Sequence, residues 1–146
     1  MESSPEAVRR EALAREAPVN PRGLWMRTVW NGRDVVFLCG TLGAEFDVWQ
    51  RRLSVLSAAD AFLSQQLGLD AVERLMDELE DEARAKVEAE RRKLSPRRSP
   101  GYGELPLELS REIVTALDAT KRIGVSLTES NLLVPSKSVT AICEIC

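Results

Sequence analysis

At 146 residues the chain is long enough to bury the core of one ordinary domain. An apolar fraction of 44% suits a water-soluble fold, and a net charge of −3 gives no electrostatic footprint for nucleic acid. The chain has no histidine, which excludes Ser-His-Asp and Cys-His catalysis, imidazole-dependent zinc sites, and any histidine ligand from this chain to haem or a corrinoid cobalt.

Residues 1–22 are charged, with alanine-rich helical character over Glu6–Glu16 that Pro18 and Pro21 bring to an end. This segment is expected to lie outside a domain covering residues 23–146. Leu24–Trp30 reads as a strand, Asn31-Gly32 as a tight turn, and the apolar run Val35–Cys39 as its buried hairpin partner. Gly40-Thr41-Leu42-Gly43 breaks the pattern; it lacks the lysine and spacing of a phosphate loop. Ala44–Leu53 is then helical, with Phe46, Val48, Trp49 and Leu53 available for a core. A long helical region follows from about Ala58 to Lys93, with Leu69, Val72, Leu75, Met76, Leu79, Ala83 and Val87 as its buried stripe and Gly68 as a kink or break. Ser95-Pro96 is expected to end it.

A Gly-rich, basic turn comes next, Arg97-Arg98-Ser99-Pro100-Gly101-Tyr102-Gly103, holding the only tyrosine. Arginine offers a fixed fork of donors to a carboxylate, glycine lets backbone approach a ligand, and tyrosine adds a flat face with a polar tip. Such a set suits a small, flat zwitterion. Beyond it, Pro106 opens a helix carrying Leu109, Ile113, Val114 and Leu117 inward, and Gly124 stops it. Val125–Thr128 and Val139–Ile145 read as strands, the second with Val139, Ala141, Cys143 and Ile145 on one face. The fold class expected is α+β, with helices packed on a mostly antiparallel sheet. Cys143-x-x-Cys146 has metal or redox spacing, but positions three apart on a strand face opposite sides, so it is read as packing. Trp25, Trp30 and Trp49 are read as core, and Lys137, between two serines, as solvated.

Ser99–Leu107, Ile123–Ser130 and Val134–Ile142 together resemble the activation domain of cobalamin-dependent methionine synthase, and more closely its small stand-alone homologues. The resemblance continues more weakly to Phe37–Gly43 and Asp70–Glu73 and does not cover the first twenty or so residues. It implies a domain that binds S-adenosylmethionine and presents its methyl group to a cobalamin decayed to the cob(II) state, with a flavodoxin-type protein as electron donor. The family motif Arg-x-x-x-Gly-Tyr falls here on Arg97, Gly101 and Tyr102. By that resemblance Arg97 holds the carboxylate of the methionyl part, the backbone of Ser99, Pro100 and Gly101 meets the adenosine, Tyr102 lines the same pocket, and Glu73 matches a ligand-contacting glutamate.

The resemblance therefore implies a reactivation subunit, with the cobalamin held by a separate corrinoid protein such as a methionine synthase subunit. The alternative is a docking or scaffold protein that keeps the fold and has lost the ligand. Pocket-forming residues that the family carries near both termini have no match, so a partner or a homodimer contact is expected to complete the site. No apolar run reaches the length of a membrane span and Met1–Arg15 lacks a signal-peptide core, so the expected location is the cytoplasm.

Overall fold

The computed structural model describes residues 4–146. Helix α1 (Pro5–Glu16) leads to the hairpin β1 (Arg22–Trp30) and β2 (Arg33–Thr41), then to helices α2 (Ala44–Leu56) and α3 (Ala58–Ala89). After the irregular residues 90–108 come α4 (Leu109–Leu117), α5 (Ala119–Ile123), the short pair β3 (Ser126–Leu127) and β4 (Leu133–Val134), and β5 (Ser138–Glu144). The architecture is α+β: β1, β2 and β5 form an antiparallel sheet in the order β1-β2-β5, with helices on both faces.

The turn at Asn31-Gly32 has φ of 50° and 75°, the double left-handed geometry of a type I′ hairpin. It pairs Trp30 with Arg33 and carries the register to Arg22 opposite Thr41. Central β2 is buried from Val35 to Thr41, which is why its sequence is a continuous apolar run. Side-chain alternation then sorts two cores. Val35, Phe37, Cys39 and Ile142 meet α4 and α5 on one face, while Val36, Leu38, Ala141, Cys143 and Ile145 meet α3 on the other. Val139 packs against the second group, so the face shared by Val139, Ala141, Cys143 and Ile145 is the α3 face.

Several boundaries differ from the sequence reading, for identifiable reasons. Gly40 and Thr41 do not break β2 but lie inside it, and Gly40 pairs with Gly23. The two glycines mark where α3 crosses the sheet: a Cβ on Gly23 would lie 2.6 Å from Leu79 Cδ1, and one on Gly40 2.9 Å from Met76 Sδ. Gly68 is not a break, since α3 runs through it without interruption. It is buried where a Cβ would come within 2.8 Å of Phe46 and of Lys137 Cε. On the buried stripe Leu69 is exposed, as is Val48 on α2. The helix ends at Ala89, ahead of Ser95-Pro96, because Arg91 takes the left-handed conformation (φ 62°). The Arg92 N–H then donates to the Val87 carbonyl and the Arg91 N–H to Glu88, closing a Schellman motif without glycine. Asp118 (φ 52°) likewise divides α4 from α5 before Gly124 caps the second. Only Ser126 and Leu127 of the expected 125–128 strand pair, and they pair with β4.

Helix α1 starts at a serine cap, with the Ser4 hydroxyl accepting from the Ala7 N–H at 3.1 Å. It packs on α2 and α3 through Leu13, which is fully buried among Leu53 and Leu63. Arg9 adds a two-pronged pair to Asp60.

Candidate functional site

The segment after α3 positions the site. Residues 93–98 run beside β5 as an irregular fourth strand. The Ser95 N–H donates to the Glu144 carbonyl at 2.9 Å, and Arg98 and Ile142 exchange both backbone bonds at 2.9 Å. The Ser95 hydroxyl accepts from the Glu144 N–H at 2.8 Å. In so extended a stretch neighbouring side chains point to opposite sides, and the Arg97-Arg98 doublet is divided in this way.

Arg97 turns to the α3 face. Its guanidinium donates to Glu73 Oε2 at 2.7 Å, Asp77 Oδ1 at 2.8 Å and Glu80 Oε1 at 2.8 Å. The acceptors recur at helical spacing on α3, so one arginine spans two turns. Burial works against the charge on Arg97, yet the bonds to Asp77, Glu80 and Glu73 outweigh it and hold the guanidinium more firmly protonated than usual. Burial also pushes the Glu80 carboxyl up, and the hydrogen bonds from Arg84 and Arg97 more than reverse this, leaving it below its ordinary value. Arg84 reaches the carbonyls of Leu94 and Ser95 at 3.4 and 3.5 Å, tying the segment to α3 a second time.

Arg98 turns the other way, into a cavity of about 690 Å³ at the hairpin end of the α4 face. Its floor is Val35 and Leu105, and Trp30 forms an aromatic wall, with Arg33, Arg98, Glu104 and Glu144 as its charged groups. Arg33 lies 3.2 Å and Arg98 3.7 Å from Glu144 Oε1. One carboxylate thus faces two guanidinium groups, and Glu104 makes no ion pair among the described residues. The lining offers a spare cationic site, a spare carboxylate and a flat apolar face within one concave space, of the size that holds a small ligand.

Of the six residues the sequence singled out, Arg97 and Glu73 meet as an ion pair, away from this cavity. Ser99, Pro100, Gly101 and Tyr102 form the turn beside it and do not line it. Gly101 (φ 89°) donates its N–H to the Leu105 carbonyl, and the Leu105 N–H donates to Tyr102, so the turn is anchored to the cavity floor. Tyr102 is 74% exposed. None of the charged or aromatic lining residues is among those six: the sequence places Trp30 in the core, names Arg98 only as part of the basic turn, and gives Arg33, Glu104 and Glu144 no role. The doublet was the available signal for Arg98, because adjacent arginines on an extended segment face opposite ways.

The remaining candidates sit apart. Lys137 is not solvated but buried, its ammonium donating to Gln65 Oε1 at 2.8 Å, and burial depresses its basicity. Cys143 is buried and Cys146 exposed, and burial pushes the Cys143 thiol up to about 12.

No protein-family model matches the chain, and no curated protein sequence matches it. Among solved structures it is similar to a crystal structure of the MetH reactivation domain bound to AdoHcy, with a TM-score of 0.74 and 17% identity. The alignment covers 95% of this chain and 65% of that one, so the chain spans a little under two thirds of its length. At such identity the likeness is one of architecture, and the fold of this chain is that of the MetH reactivation domain.

Proposed function

We propose that the chain is an S-adenosylmethionine-binding reactivation subunit that supports reductive methylation of cob(II)alamin held on a separate corrinoid protein, a methionine synthase subunit or a related methyltransferase. The observation that carries this reading is the 690 Å³ cavity beside the Arg97–Tyr102 segment, in a fold shared with a domain crystallised with AdoHcy. The donor set fits such a ligand. Arg98, with Arg33, offers a fork to the carboxylate, Glu104 an anion to the ammonium, and Trp30 with Leu105 a flat apolar face to the purine. Arg97 and Glu73 then act as positioning residues, their ion pair holding the segment in place, while Ser99, Pro100, Gly101 and Tyr102 form the rim.

The bound sulfonium supplies an already activated methyl group. The protein's part is to orient it and keep water from it, which needs no acid-base pair. A flavodoxin-type donor and a cytoplasmic setting complete this reading.

Calorimetry with S-adenosylmethionine tests it. Binding is expected, and Arg98→Ala should weaken it by about tenfold or more, the loss of a charge-assisted bond, without changing the melting temperature. Absence of heat at millimolar ligand, with and without a corrinoid protein, refutes the ligand reading. A second reading, a docking protein without ligand, draws on the saturation of Arg97 by three carboxylates and the exposure of Tyr102. Co-purification with a corrinoid protein that Arg98→Ala leaves unchanged, together with no heat, would select it.

A further inference from the structure

The hairpin fixes which backbone groups of β1 are used. Trp30 and Arg33 flank a two-residue turn and exchange hydrogen bonds, so Arg22, Leu24, Met26, Thr28 and Trp30 bond to β2. The same alternation carries across the sheet: the Ile145 N–H donates to the Asp34 carbonyl, as it requires. Gly23, Trp25, Arg27 and Val29 therefore point their N–H and C=O groups outward, and no backbone partner meets them among the described residues. The far edge is different, because residues 93–98 cover β5. One edge of the sheet is closed and the other presents a nine-residue template.

We propose that this edge pairs antiparallel with β1 of a second copy, joining the two sheets into one of six strands with the two-fold axis at Met26. Three observations favour a second copy over an unrelated strand. Met26 is the midpoint of β1, so this register alone pairs all nine residues. It also keeps any two arginines from facing each other directly across the seam: Arg22 faces Trp30 of the second copy and Arg27 faces its Trp25, both arginine-on-indole pairs. The register centred on Arg27 would instead oppose two arginines, and within each copy Arg27 is already paired with Glu90. Lastly, a hollow of about 470 Å³ lies at the edge, formed by Trp25 with Glu82, Ala85, Lys86 and Ala89 of α3. Its small residues leave room, and Glu82, which accepts from Trp25 Nε1 at 3.1 Å, adds a second carboxylate beside the Arg27–Glu90 pair arriving opposite Trp25.

The pairing reaches the cavity as well. Trp30 is its aromatic wall, so Arg22 of the second copy lies against a residue of the candidate site. The dimer itself does not depend on the ligand proposal.

Sedimentation of the full chain at about 100 µM is the test, a concentration at which a modest micromolar association is populated. Wild type should sediment at twice the chain mass. Val29→Pro removes one outward N–H per copy on an exposed residue, which an edge tolerates, and should weaken the dimer by about tenfold or more. A wild-type monomer overturns the proposal, as does a folded Val29→Pro variant that dimerises unchanged. Cross-linking gives an answer even if Val29→Pro does not fold. In a Cys146→Ser background, Met26→Cys oxidised with glutathione disulfide should give a covalent dimer, and Thr28→Cys, off the axis, should not. Equal yields from the two overturn the register.

Discussion

Replacing Arg97 by methionine keeps an apolar stem and removes the guanidinium that faces three carboxylates. Glu73 and Asp77 are 60% and 65% exposed, so their bonds to Arg97 contribute a few tenths of a kcal/mol each. Glu80 is 13% exposed against 17% for Arg97, and a charge-assisted bond there contributes about 1.5–3 kcal/mol. Glu80 retains Arg84 in the variant, which places the expected loss near 2–3 kcal/mol, or roughly 5–10 °C in melting temperature for a domain of this size. The loss should depend on pH. The folded-state pKa of Glu80 lies below its ordinary 4.5 because bonds from Arg84 and Arg97 outweigh burial. Its contribution is therefore present above 4.5 and disappears as pH falls through the lower, folded-state value. Urea titrations followed by circular dichroism should show the gap between wild type and Arg97→Met at neutral pH, narrowing as the medium is made more acidic than 4.5. A loss below about 0.5 kcal/mol, or a gap indifferent to acid, would refute the assignment of Arg97 as the tie between this segment and α3.

Gly68→Ala, which in an open helix stabilises, should cost about 1–3 kcal/mol here, because the new methyl group meets Phe46 and Lys137 Cε at 2.8 Å. Thermal melts decide it, and a raised melting temperature would show that these neighbours give way. Thiol titration of the native chain at mildly alkaline pH should find Cys146 reactive and Cys39 and Cys143 silent, since burial pushes both of the latter to about 12. In denaturant all three should react, and a second fast native thiol would contradict the packing of β5.

The hairpin, α2, the inward face of α4 and the alternation of β5 were legible because each rests on a local rule: a two-residue turn, a 3.6-residue period, a two-residue period. The misplaced boundaries share one cause. Glycine reads as punctuation at Gly40 and Gly68 in the sequence, whereas in the fold it serves close approach between elements distant in sequence, and such proximity leaves no local trace. The real stops at Arg91 and Asp118 use left-handed backbone in residues that do not announce it. The site divided along similar lines. The motif falls on Arg97, Gly101 and Tyr102, and Arg97 meets Glu73, the residue matched separately, as an ion pair rather than across a cavity. Which of two adjacent arginines faces the cavity depends on how residues 93–98 lie along β5, a pairing across more than forty residues of sequence. Trp30 and Arg33 face each other across the local hairpin turn, but Glu144 joins them only through the long-range pairing of β5 with β2.

The segment 93–98 is fastened by β5 backbone on one side and by two arginines to α3 on the other, whereas the turn that follows carries an exposed Tyr102. A ligand of the proposed kind would therefore meet one wall whose conformational entropy was already lost during folding and one rim whose side chain is still to be ordered. The fixed charges of the wall would speed docking by long-range attraction, and contacts to the rim, once its side chain is ordered, would slow release. Substitutions at Arg98 and at Tyr102 would then separate in kinetics even where they coincide in affinity.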